Sequence, residues 1–441
     1  MISPQRAHEI VAALRTGTVP QRSLDAFAVG LGPFEAAIEE ELDRVSRGGA
    51  AFKAIRGDYG SGKTFFARWL EERARKRGFV TAEVQISETE TPLHKLQTIY
   101  RRLVERLSTS ESLGGAFRGI LDQWFFALEE DVLAEGTIAE SDAEGLLART
   151  NALVEQRLAE VSRVAPSFSA ALRAYRGAVA TKDLDTADGL LAWLGGQPNV
   201  AAAIKKKGGV KGDVDHAAAL TFLQALLILL RDAGHAGLLL VLDEVETLQR
   251  VRTNVRDAAL NGLRQLVDEV SQGRFPGLYL VITGTPAFFD GPQGVQRLPP
   301  LAQRLHTDFQ TDARFDNPKA TQIRLAAFDL ERLREVGRRV RELYAAQSEQ
   351  GERIRRLADD AYVSDLAQGV TGALGGRVGI APRVFLKKLV SDVLDRIDQH
   401  PDFDPRKHYA LTMSDVELTE VERNVRAATS PDEIELDLGD T

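Results

Sequence analysis

Gly57-Asp58-Tyr59-Gly60-Ser61-Gly62-Lys63-Thr64 fits the phosphate-loop pattern G-x-x-x-x-G-K-[ST] at every fixed position. The apolar run Ala51 to Ile55 precedes it, and Phe65 to Leu70 follows with helical spacing. Strand, glycine-rich loop and helix in that order are the context the motif requires. The glycines let the main chain turn tightly enough for its N–H groups to surround a phosphate, and the helix N-terminus adds partial positive charge at the same place. The expected cradle is therefore Gly57, Asp58, Tyr59, Gly60, Ser61, Gly62, Lys63, Thr64 and Phe65. Lys63 is placed to reach the β- and γ-phosphates of ATP, and the Thr64 hydroxyl to ligate Mg2+. The bland alternative is a glycine-rich turn that binds nothing, and the intact flanking pattern argues against it.

A partner for this loop comes much later. Leu238-Leu239-Leu240-Val241-Leu242 is a continuous apolar run, as in a parallel strand covered on both faces, and it ends in Asp243-Glu244. Ligands of open α/β sheets bind at that end of the strands. Asp243 suits the Walker B role of holding Mg2+, and Glu244 that of polarising a water for attack on the γ-phosphate. The second acid favours hydrolysis to ADP and phosphate over transfer to a small-molecule acceptor.

Leu278 to Ile282 is a second buried-strand pattern, tipped by Thr283-Gly284-Thr285-Pro286. A hydroxyl there could hold the attacking water or the γ-phosphate, with Thr283 the first choice and Thr285 the second. A strand end running into a proline turn is the alternative. Arg304, with Arg297 before it, sits where an arginine finger for a neighbouring subunit is expected, or simply on the surface of a short helix. Arg383 stands at the start of a helix over Val384 to Ile397 and could fold back onto the nucleotide phosphates.

The remainder bounds the answer. A chain of 441 residues, 44% hydrophobic and 27% charged, is an ordinary globular composition with room for two to three domains. Net charge −8 argues against a generally basic nucleic-acid coat, and the lack of cysteine excludes disulfides and thiolate metal sites. No signal-peptide pattern opens the chain and no apolar run is long enough for a bilayer, so a cytoplasmic location is expected.

Residues 1–24 carry an amphipathic helix, and 25–328 form the α/β ATPase domain. A helical insertion at about 108–215, held by its own small core, interrupts that domain; 329–400 form a helical lid and 401–441 a polar, acidic tail. Val29-Gly30-Leu31-Gly32-Pro33-Phe34, just upstream of the loop strand, lies where many such ATPases hold adenine. Gln322 to Phe328 is the last expected strand, with Asp329 capping the helix that follows. Lys205-Lys206-Lys207-Gly208-Gly209-Val210-Lys211 is either a solvated turn, the preferred reading, or a finger that touches phosphates.

The order of phosphate loop, Asp-Glu strand, hydroxyl-tipped strand, late arginine and helical lid with Gly379-x-x-Pro382-Arg383 resembles the AAA+ ATPases, most closely the origin-recognition-like layout. More narrowly, Gly57–Thr64, Val29–Gly32, Leu239–Glu244, Pro300–Leu305 and the Ser87–Leu93 turn resemble the ATP-binding proteins of the DUF2791 family, associated with BREX and related phage-defence gene clusters. The resemblance covers roughly Pro20 to Gln399. It implies a parallel sheet with a lid, Thr283 as sensor 1, Arg304 as arginine finger and Arg383 as sensor 2. It also implies a homo-oligomer built through the ATP sites, and a protein partner such as a helicase or another defence component. Sensor 1 is often asparagine, whereas this strand tip offers threonine. No winged-helix pattern follows the lid, so autonomous DNA binding is not implied.

Three functions compete at this point. One is ATP hydrolysis that drives or gates a DNA-processing partner. The second is an ATP-gated recruitment switch with slow or no turnover. The third is direct DNA binding through Lys205–Lys211 and Arg338, Arg339 and Arg341. A small-molecule kinase has the least support, since no acceptor site is evident.

Overall fold

The computed structural model describes residues 3–136, 142–373 and 381–412, together with Leu418 and Arg423. Most of the acidic tail, and Gly379-Ile380 of the expected lid motif, lie outside these residues.

Five parallel strands form one sheet: β1 (Ala51–Arg56), β2 (Val80–Gln85), β3 (Leu238–Asp243), β4 (Leu278–Gly284) and β5 (Gln322–Arg324), in the order β2-β3-β4-β1-β5. The phosphate-loop strand β1 and the acid-tipped strand β3 thus flank β4, whose tip carries Thr283. The fold is α/β with the layout of a P-loop NTPase. Strands β3 and β4 are buried at every position, which accounts for their unbroken apolar sequence.

Alternation across the pleat divides the sheet between two cores. Val80, Ala82, Val84, Leu240, Leu242 and Leu280 face one. Ala51, Ile55, Leu239, Val241, Tyr279 and Val281 face the other. Helices α1 (Pro4–Thr16), α2 (Gly32–Ser46) and α3 (Lys63–Lys76) cover the second face. The first face receives α4 (Leu96–Arg106) and the helices of the insertion: α5 (Phe117–Ala134), α6 (Ala143–Val164), α7 (Pro166–Ala180), α8 (Leu184–Leu194) and α9 (Ala202–Lys207). After these, α10 (His216–Asp232) leads into β3.

The insertion was expected to hold a small core of its own. Instead Trp124, Phe168, Trp193 and Phe222 join one continuous core with β2, β3 and β4. Phe222 makes edge-on ring contacts with Tyr100 of α4, Phe168 and Trp193, and these weld insertion to sheet. Phe126, next to the buried Trp124 and Phe125, is 63% exposed.

Beyond β3, α11 (Thr253–Ser271), α12 (Pro286–Asp290) and α13 (Pro299–Leu305) complete the sheet-bearing portion. The last strand is shorter than the sequence suggests and ends at Arg324, because only residues 322–324 pair with β1. Asp329 does cap the next helix, α14 (Leu330–Ala345), accepting from the Arg332 N–H. With α15 (Gly351–Leu357), α16 (Asp360–Ala373) and α17 (Ala381–Lys387), it forms the C-terminal helical portion that the sequence reading takes as a lid. The long helix expected over Val384 to Ile397 carries a π-helical turn at Lys388–Leu394. Helix α1 shares the lid's core, and Arg15 pairs with Asp395 through two hydrogen bonds of 2.7 and 2.8 Å.

Candidate nucleotide site

The loop between β1 and α3 owes its shape to glycine. A Cβ on Gly57 would stand 2.2 Å from Ser61 Oγ, so any other residue would force the Ser61 side chain to move. Gly62 has φ 90°, a left-handed conformation that costs glycine little, and it starts α3 with Lys63 as the first helical residue. Ser61 Oγ is buried and without a hydrogen-bond partner inside the protein. Lys63 is buried, and its Nζ donates to the carbonyls of Gly57 at 2.9 Å and Asp58 at 3.3 Å.

Three strand ends meet opposite the loop. Thr64 Oγ1 donates to Asp243 Oδ2 at 3.1 Å. The other carboxylate oxygen of Asp243 accepts from the Thr283 hydroxyl. That hydroxyl in turn accepts the Glu244 N–H at 3.1 Å. Thr283, fully buried, is thus bonded to both acids of β3, and the structure places its hydroxyl against them. Glu244 has φ 59°, a left-handed turn uncommon for a side-chain-bearing residue, and the chain bends there into the short helical turn Val245–Arg250. The Glu244 carboxylate accepts from Gln85 Nε2 of β2 at 2.8 Å.

Thr64, Asp243 and Glu244 line a cavity of about 820 Å³, whereas Thr283 is buried behind its wall and Gln85 lies outside it. Tyr59 to Phe65 form its floor, and Asp243, Glu244 and Glu246 one wall. Phe27, Val29, Leu31, Phe65, Phe328 and Val336 supply an apolar end that suits the flat face of a base. The segment read as an adenine contact contributes Val29, Gly30, Leu31, Pro33 and Phe34 to the cavity lining. Gly57 and Asp58 hold the loop from behind and do not line the cavity.

Arg383 of α17 lines the cavity from the lid side. Arg304 does not. It lies on α13, is about half exposed, and pairs with Asp268 of α11. Any contact it makes with a nucleotide is with one bound elsewhere. Arg297 is likewise paired, with Asp257.

Sequence reasoning missed several cavity residues. Arg314, Arg324 and Arg332 add cationic groups to the rim, with Arg324 held by Asp316 at 2.8 Å. Glu246 is buried in the wall, and burial beside Asp243 and Glu244 pushes its carboxyl up to about 7. Its signal was available as a third acid in Asp243-Glu244-Val245-Glu246.

The donor set fits a Mg2+-nucleotide. Among the described residues no cluster of three or more His, Cys, Asp or Glu could hold a metal alone. Thr64 and Asp243 offer the two protein oxygens that a phosphate-loop Mg2+ takes, the remainder coming from phosphate and water. The Gly57 cradle and the unpartnered Ser61 hydroxyl are what a loop wrapped around a phosphate needs. Among the described residues no helix is long and apolar enough to cross a membrane.

The family described as BREX system ATP-binding protein BrxC/D matches the chain over residues 2–413. No curated protein matches it.

Proposed function

The chain belongs to the family of BREX system ATP-binding proteins, and we propose that it is an AAA+ type, Mg2+-dependent ATPase whose turnover drives or gates a DNA-processing partner in phage defence. The observation that carries this reading is the chain of contacts Thr64–Asp243–Thr283–Glu244, which joins the phosphate loop to the acids across three strands. The strand order β2-β3-β4-β1-β5, with a helical lid behind the loop, supports the AAA+ assignment.

Each residue then has a role. The main-chain N–H groups of the loop and the Lys63 ammonium bind the phosphates. Thr64 and Asp243 would hold Mg2+, which would supply neutralisation of the charge on the phosphate oxygens. Glu244 orients the attacking water and accepts its proton as the bond to the ADP oxygen breaks. Arg383 contacts the phosphates from the lid, so that loss of the γ-phosphate becomes lid movement. Arg304 serves a neighbouring copy, which makes the working form a homo-oligomer with sites at its interfaces.

Direct DNA contact draws less support. Lys205 is paired with Asp213 at 3.1 Å and Lys207 with Asp183 at 2.8 Å. In the lid, Arg341 is buried against Asp360 at 2.7 Å and Arg339 is held by the Ala28 carbonyl at 2.5 Å.

A second reading, an ATP-gated switch with little turnover, is favoured by the Gln85–Glu244 hydrogen bond, which occupies the general base. Phosphate release from ATP by the purified chain, with Mg2+ and with EDTA, tests the first reading. Mg2+-dependent release supports hydrolysis, and a stable ATP complex without release supports the switch. Absence of ATP binding contradicts both.

A further inference from the structure

Glu246 stands three residues beyond Asp243, and the roles assigned above make no use of it. It is only 6% exposed and lines the same cavity. Val245 is fully buried in the core, and the tight turn Val245–Arg250 carries Glu246 back beneath the phosphate loop. There one carboxylate oxygen lies 3.8 Å from Lys63 Nζ, and the other is buried without a hydrogen-bond partner.

The surroundings explain why this pairing matters. An ammonium has three donors. Two of the three on Lys63 are met by the main-chain carbonyls of Gly57 and Asp58, and the Glu246 carboxylate answers its charge from 3.8 Å. The charged and titratable groups around Glu246 are Lys63 from α3, Tyr59 from the loop, and Asp243 and Glu244 from the end of β3. Among the described residues the cation that pairs with this buried carboxylate is Lys63, with Arg250 of the same turn facing Tyr59, and Lys63 is the cation a nucleotide's phosphates require.

We propose that Glu246 is a positioning residue that competes with nucleotide phosphate for the Lys63 ammonium, and so sets the affinity of the site for phosphorylated nucleotides without affecting its affinity for the nucleoside. The inference rests on the nucleotide reading of the cavity. Phosphate binding draws Lys63 off Glu246 and leaves a buried acid near the incoming negative charge. Both effects oppose binding, and both vanish when the acid is replaced by its amide. Contacts at the apolar end of the cavity, which hold the base, are untouched.

Calorimetric titration of the full chain with Mg2+-ADP and with adenosine tests this, using the wild type, Glu246→Gln and Glu246→Ala. Both variants should bind ADP about fivefold or more tightly than the wild type, while adenosine affinity stays within about twofold. The alanine variant guards against an effect of the new amide, since removal of charge is what the two share. Unchanged or weaker ADP binding in both variants would overturn the proposal, as would an equal gain for adenosine. Wild-type protein that binds adenosine and ADP equally well would also contradict it. Wild-type protein that binds neither would overturn the nucleotide reading itself.

Discussion

Thr64 Oγ1 lies 3.1 Å from Asp243 Oδ2, which brings together the first turn of α3 and the tip of β3, 179 residues apart in sequence. On the proposed reading both oxygens share one Mg2+. Replacing Asp243 by Asn removes the charge while keeping the shape, so the gain in ADP affinity that Mg2+ gives the wild type should fall by about tenfold or more. Titrations with Mg2+ and with EDTA measure that gain directly.

Thr283 donates to Asp243 and accepts from the Glu244 N–H, and it is fully buried. Thr283→Val keeps the volume but leaves a carboxylate oxygen and an N–H unpaired. The expected loss is about 2 kcal/mol of folding stability, read from urea unfolding. Thr283→Ser keeps the hydroxyl and should lose well under half of that.

Gln85 holds the Glu244 carboxylate at 2.8 Å from the exposed edge of the sheet. Its amide occupies an oxygen that would otherwise accept from water. Gln85→Ala should raise basal ATP turnover several-fold with little change in KM, since no contact to the nucleotide is removed. Steady-state phosphate release checks this.

Much of this arrangement was legible in the chain. The loop is contiguous, and the runs before Asp243 and Thr283 are apolar because β3 and β4 are covered on both faces. Local pattern was enough to place them. Gln85 and Arg314 were not legible as site residues, because nothing near them in sequence says which strand will lie beside β2 or which loop will reach the rim. Crossovers of long range decide that. Insertion and sheet share a core because Phe222 packs against rings from α4, α7 and α8 at once, a convergence with no periodic signature. The early end of β5 has a similar cause. Its apolar residues continue past Arg324, but only residues 322–324 find a partner in β1.

Glu71 gives a pH signature independent of the nucleotide. Burial, helped by the charge of Glu83, raises its carboxyl to about 7 from an ordinary 4.5, while Arg75 and Arg68 oppose the shift. The native state therefore keeps a proton that the unfolded chain has already lost, and stability falls as pH rises through that window. Glu71→Gln lacks this loss. Its melting temperature relative to the wild type should climb between pH 4.5 and 7 and level off above. A flat difference across that range would mean that Glu71 is ionised in the folded protein.

The central claim is that Glu244, at the tip of β3, activates water against ATP held by the phosphate loop. The most direct measurement pairs ATP binding with phosphate release in the wild type and in Glu244→Gln. The account predicts that the variant binds Mg2+-ATP as tightly as the wild type and releases phosphate at least about a hundredfold more slowly. Equal phosphate release by the two proteins would contradict it.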